Sequence, residues 1–174
     1  FDAADAALDV GAVVKVDEKW FAVFGSGPHD FEGTSNQNGH VFVVDLKTGL
    51  PYQKDGTVTN GVPNLDGTND WLFEAADDDG FMASAASLDK QMNYNVDSVY
   101  IGETHQTPSG DWEGAMYSIR VPFTCTEDCE YGDLDATGAE YSDNPNDITN
   151  PWVFSKLFDS EGPVTAAPAL SVDA

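Results

Sequence analysis

Two stretches of this chain, residues 10–75 and 82–158, carry the same succession of segments, and a third copy opens at 163–173. Each copy begins with a short apolar run that ends in Asp: Val10–Asp17, Met82–Asp89 and Val164–Asp173. A run into Gly follows, Phe21–Gly25 in the first copy and Ser98–Gly102 in the second. After a polar loop, a Gly introduces an alternating segment, Gly39–Asp45 or Gly114–Arg120. A long polar insertion comes next, near 50–69 and 122–150, and each copy closes on an aromatic triplet, Trp71-Leu72-Phe73 or Trp152-Val153-Phe154.

Short β-branched and aromatic runs bounded by Gly, Asn, Asp and Pro clusters predict antiparallel strands, four per copy. Radial repetition of four-stranded sheets is a β-propeller. The fold class expected is therefore all-β: a propeller fragment of two four-stranded blades plus the first strand of a third, within one domain over 1–174. The alternative is two unrelated β meanders of similar composition. The period of about 75–85 residues exceeds the roughly 40–50 of a bare blade, and the excess lies in the insertions. A ring needs at least four blades, so the expectation is an excerpt of a longer propeller whose remaining blades are partners of this one.

The charge balance narrows the partners. There are 31 Asp and Glu against 7 Lys and Arg, a formal net charge of −24. Nucleic acid and anionic lipid both call for clustered Lys and Arg, so neither is an expected partner. No run approaches the roughly 18 apolar residues of a membrane-spanning helix. Three readings of the acidity stand side by side: solubility in high salt, where screening relieves self-repulsion; calcium sites built from carboxylates; or a solvated coat.

Cys125 and Cys129 are the cysteines, spaced C-x3-C in the second insertion. Two cysteines alone do not complete a structural zinc site, and His29, His40 and His105 stand at no ligand spacing. A local disulfide that pins an exposed loop, in an oxidising compartment, is the expected state; reduced thiols or a metal site are the alternatives.

The segment 89–97 is the sharpest candidate site. Oxygen-bearing side chains fall at its positions 1, 3, 5 and 9 (Asp89, Gln91, Asn93, Asp97), and Asn95 at position 7 offers a backbone carbonyl. Alternate oxygens aimed at one centre are what a calcium loop requires. Gln91 is neutral, and Tyr94 stands at position 6, where an EF-hand has Gly. The competing reading is a polar hairpin whose Asn and Asp serve the turn backbone. A weaker calcium candidate is Asp133–Gly138, which lacks the bidentate Glu at position 12. Asp77-Asp78-Asp79-Gly80 reads as a solvated turn. Trp71 and Trp152 are expected to pack between blades, and Trp20 and Trp112 to pack near strand starts. Motifs for a nucleophile elbow, a phosphate loop or a zincin are lacking, and Arg120 reads as an ion-pair partner as readily as a functional group.

The segments Trp20–Gly27, Gly39–Gly49, Asn95–Gly102, Gly114–Tyr117 and Pro163–Pro168 together resemble the C-terminal propeller of PilY-type proteins, which act in type IV pilus biogenesis and as pilus-tip adhesins. The resemblance covers most of the chain outside the two insertions. It implies a distorted quinoprotein-like propeller, an extracellular, pilus-associated location reached through the periplasm, and pilus subunits, minor pilins or surface receptors as partners. It also implies a calcium loop of pattern D-x-D-x-N-x-x-x-D, whose ligands fall on Asp89, Asn93 and Asp97, with Gln91 in place of the second Asp.

The function expected is accordingly non-enzymatic: a calcium-regulated surface propeller. The runner-up is a quinone-dependent dehydrogenase on the same fold. That enzyme calls for adjacent cysteines and a Trp docking motif in each blade; here the cysteines stand four apart in an insertion, and the docking motif is degenerate. A scaffold propeller in another surface assembly is the third reading.

Overall fold

The structure is a computed structural model that describes residues 11–30, 33–54, 58–59, 62–63, 71–125, 139–147 and 149–171. Among these residues the fold is all-β, with two larger antiparallel sheets of the kind the repeat predicts and a two-stranded hairpin in each insertion.

The first sheet runs in the order β1 (Ala12–Val16), β2 (Lys19–Gly25), β3 (His40–Asp45). Its fourth position is shared by two short strands laid end to end on β3. β4 (Leu50–Pro51) pairs with Val44 and Asp45, while β7 (Phe73–Glu74) pairs with His40 and Val41. Between them the insertion carries the small hairpin β5 (Val58–Thr59) and β6 (Val62–Pro63). The second sheet is a meander of β8 (Gly80–Leu88), β9 (Ser98–Gln106), β10 (Trp112–Arg120) and β13 (Val153–Ser160). Its insertion likewise carries a hairpin, β11 (Phe123–Cys125) with β12 (Ala139–Tyr141). The two copies correspond in strand order and in the inserted hairpin, but the fourth strand, single in the second sheet, is split in the first.

Period-2 alternation builds the core. Val14, Val16, Phe21, Val23, Val41 and Val43 are fully buried on one face of the first sheet, and Val99, Ile101 and Ile119 are fully buried in the second. Side chains at i and i+2 share a face, so these residues form one continuous apolar layer. The sheets meet where β1 and β2 lie against β8. Met82 sits over Gly25 and Gly39, and a Cβ at either glycine would overlap its side chain. Backbone hydrogen bonds reinforce the junction: the Met82 N–H donates to the Ser26 carbonyl at 2.8 Å, and the Gly80 N–H to the Gln37 carbonyl at 2.8 Å.

The tryptophans divide. Trp152 is buried, meets Phe21 of the first sheet edge-on at 5.1 Å and donates its indole N–H to the Ser142 carbonyl at 2.7 Å. It therefore packs between the two copies, as expected. Trp71 stacks on His40 within its own sheet, with ring centroids 3.7 Å apart. Trp112 meets Phe81 edge-on at 6.4 Å. Trp20 departs from expectation: it is 51% exposed, because it alternates with the buried Phe21 and so faces away from the core.

The third copy also differs in form. Residues 163–171 enter no ladder, since no strand among the described residues lies alongside them. Val164 instead covers the outer face of the second sheet at Gly102 and Gly114, and its carbonyl accepts the Thr104 hydroxyl at 3.1 Å.

Candidate functional site

The strand 1–2 connections distinguish the copies. In the first copy the connection is the two-residue turn Asp17-Glu18, with Asp17 at φ 54. A two-residue hairpin needs positive φ, and Asp tolerates it better than most residues. In the second copy the connection is the whole candidate loop, 89–97.

That loop is closed by its own acidic side chains. Asp89 accepts the backbone N–H groups of Asn93 (3.2 Å, Oδ1) and Tyr94 (2.7 Å, Oδ2). Asp97 accepts the Lys90 N–H at 2.6 Å. Burial pushes the Asp97 carboxyl above the ordinary carboxylate range; backbone hydrogen bonds from Lys90 and Gln91 oppose the shift, and the charge of Asp89 adds to it. Asn93 and Gln91 meet the Tyr141 hydroxyl at 2.9 and 3.0 Å, which ties the loop to β12. Asn95 uses its side-chain carbonyl to accept the Asp17 N–H at 2.7 Å. Met92 and Tyr94 hold φ values of 56 and 66. Tyr94 thus supplies, at position 6, the left-handed conformation for which an EF-hand uses Gly. Tyr94 is 83% exposed.

Of the other sequence candidates, Asp133–Gly138 and Cys129 lie outside the described residues, as does the side chain of Cys125. Residues 141–144, 147, 149 and 150 line a polar cleft of about 260 Å³, with Asp143, Asn144 and Asp147 among them. Asp143 there pairs with Lys19 at 3.0 Å, and Asp147 caps Thr149 and Asn150.

A second cluster was not legible as such in the sequence. Along β9 the inward face reads Val99, Ile101, Glu103, His105, so the apolar alternation passes into a carboxylate and an imidazole. Glu103 is fully buried and registered between Met82 and Ala115; neither carboxylate oxygen makes a hydrogen bond of full geometry, and the Tyr117 hydroxyl and Asp77 are its nearest polar neighbours. Burial pushes its carboxyl up to about 7; the Tyr117 hydroxyl opposes this and the charge of Asp77 adds to it. Gly80 makes the room, since a Cβ there would come within 2.9 Å of Glu103 Oε1. Asp77, in the connection between the sheets, completes the group: ligand atoms of Asp77, Glu103 and His105 all lie within 4.8 Å of one another.

The expected solvated turn at 77–80 is therefore corrected at Asp77. Lys156 donates to its Oδ2 at 2.7 Å, and although burial acts upward, that contact holds the Asp77 carboxyl below its usual range. His105 likewise gains through the fold a ligand-like neighbourhood that its sequence spacing did not provide. The signal available in the sequence was Glu103 at a position whose neighbours two and four residues back are Ile101 and Val99.

Compared with known proteins, the chain matches no family model, no curated protein and no solved structure.

Proposed function

We propose that this chain is a non-catalytic unit of an extracellular, pilus-associated β-propeller, in which calcium held by the 89–97 loop sets the presentation of a binding surface. The observation that carries the calcium part is the loop itself. Asp89 and Asp97 stand close enough for each charge to act on the same site, Gln91 and Asn93 add oxygens, and Tyr94 takes the backbone conformation a calcium loop needs at its sixth position. A divalent cation relieves the repulsion between the two carboxylates and satisfies the remaining lone pairs. The pilus-associated part rests on the sequence resemblance together with an all-β fold of two matching blade-like sheets.

Calcium in this loop has a route to the rest of the molecule. Asn95 braces the first-copy turn at Asp17, and Asn93 and Gln91 brace Tyr141 of the insertion. Ordering the loop therefore orders two neighbouring segments, and the exposed Met92 and Tyr94 are carried on its tip. The partners proposed are pilus subunits, minor pilins or surface receptors that meet this tip and the insertions beside it.

Thermal unfolding with calcium and with a chelator tests the cation. A ligand that binds only the folded state raises the melting temperature in proportion to its saturation. The expected result is a calcium-dependent rise that Asp97→Ala abolishes; an equal rise in that variant places the calcium elsewhere. Shearing surface appendages from native cells tests the location. The chain is expected in the sheared fraction, and confinement to the cytosol overturns the reading.

A further inference from the structure

We propose that Asp77, Glu103 and His105 form a second cation site, for a first-row divalent metal of the zinc class, which staples the connection between the two sheets to strand β9. The proposal is independent of the calcium loop and shares no residue with it.

Two orphaned groups point to the ligand. Neither oxygen of the fully buried Glu103 makes a hydrogen bond of full geometry, its polar neighbours being the Tyr117 hydroxyl and Asp77, and the buried Nδ1 of His105 has no partner. Buried polar atoms are almost always paired. A single cation at their common centre serves all three atoms at once. Glu103 and His105 stand two residues apart on the same face of β9, which aims both side chains the same way. Asp77 closes the third side from the inter-sheet connection, which is itself held by the Ala76 N–H donating to the Tyr117 hydroxyl at 3.2 Å.

The donor set selects the metal. Calcium takes six to eight oxygens, and this site offers two carboxylates and an imidazole. Imidazole with carboxylate suits zinc and its neighbours, and three protein ligands plus one open position is a familiar zinc arrangement. Ligand atoms on a tetrahedral metal with bonds of about 2.1 Å lie roughly 3.5 Å apart. A small inward shift from the present spacing, within 4.8 Å, brings the three together. The surroundings fit as well. With Nδ1 on the metal, His105 Nε2 lies 4.0 Å from Glu113 Oε2, outside hydrogen-bond distance, so an orienting bond of the kind metal-bound histidines make requires Glu113 to move inward. Lys156 donates to Oδ2 of Asp77, and the metal would replace the contact that this carboxyl makes with Glu103. Because Gly80 lacks a Cβ, Glu103 can adjust.

The rival account is a proton held between Glu103 and Asp77, and titration with metal separates the two. The full chain, stripped with chelator and returned to excess calcium, is titrated with Zn²⁺ by calorimetry in a Cys125→Ser, Cys129→Ser background, which removes the thiols as ligands. One equivalent is expected. Glu103→Gln and His105→Gln should each weaken it by at least about tenfold, since even outer-shell changes cost that much, while Asp97→Asn leaves it unchanged. Co²⁺ should give visible absorption in the parent that Glu103→Gln removes. That readout in the parent also keeps the test valid if a variant folds poorly. No stoichiometric uptake, or uptake indifferent to both Glu103→Gln and His105→Gln, overturns the proposal.

Discussion

Asn95 accepts a hydrogen bond from the backbone N–H of Asp17 at 2.7 Å, so the long strand 1–2 loop of the second copy braces the short turn at the same place in the first. Asp17 is one of four non-glycine residues with positive φ among those described. Its turn is thus held partly by a side chain 78 positions away in sequence. The Val96 N–H adds a second tie to the Lys15 carbonyl at 2.9 Å.

Removing the Asn95 side chain should therefore weaken the whole fold. Asn95→Ala is expected to cost about 1 kcal/mol, the usual net worth of one hydrogen bond. Asn95→Asp keeps the acceptor and should cost less. Urea unfolding midpoints measure both, and an unchanged midpoint for the Ala variant means that the brace contributes nothing in solution.

The junction of the sheets offers a paired test. A Cβ on Gly25 would overlap the Cβ of Met82, whereas one on Gly39 would meet its sulfur and Cγ. Gly25→Ala and Gly39→Ala should each destabilise by about 1–3 kcal/mol, as overpacked sites do. Met82→Ala removes Sδ and Cγ but keeps Cβ, so it should rescue Gly39→Ala and not Gly25→Ala. Thermal denaturation of the two double variants reads the difference, and equal rescue contradicts the packing.

His40 gives a pH dependence. It is buried beneath Trp71, and burial holds its pKa below the ordinary 6.5, an effect that Glu74 opposes and Lys54 assists. As pH falls through about 6.5 the unfolded chain takes up the proton first. The stability associated with neutral His40 is present above that pH and is lost progressively as pH falls to the folded-state value. His40→Phe retains an aromatic partner for Trp71 and should flatten this part of the pH–stability curve, measured by chemical denaturation between pH 5 and 8 (about the range in which histidine titrates). A curve identical to the parent's removes His40 as the cause.

Charge gives the last prediction. With a formal net charge of −24, self-repulsion opposes the compact state, and salt screens it. The melting temperature should rise with NaCl in the presence of chelator. No rise between low and molar salt shows that the acidic surface is neutral for stability.

Much of this architecture was legible because it rests on local pattern. The buried faces of β1 to β3 follow from alternation at Val14, Val16, Phe21, Val23, Val41 and Val43. The strand-end motif Val44-Asp45-Leu46-Lys47-Thr48-Gly49 is a turn in which Asp45 Oδ1 caps the Lys47 N–H at 2.7 Å and Gly49 takes φ 73. Trp20 departs from the expected packing because an aromatic in a strand faces inward or outward according to phase, and Phe21 holds the inward phase. The fourth strand position of the first sheet, shared by 50–51 and 73–74, was hidden because its two halves are separated by the insertion.

The sequence by itself determined the repeat, the all-β class, the acidic surface and the oxygen-rich spacing of residues 89–97, since each depends on residue types at short separations. Tertiary structure alone decided that Asn95 reaches Asp17, that Tyr94 adopts a left-handed backbone, and that Asp77 and His105 converge on a buried Glu103. The reason is physical. Alternation tells which side of a strand a residue faces, but the groups that meet it there come from register, bulges and connections between sheets. Those are fixed only when the whole apolar layer packs.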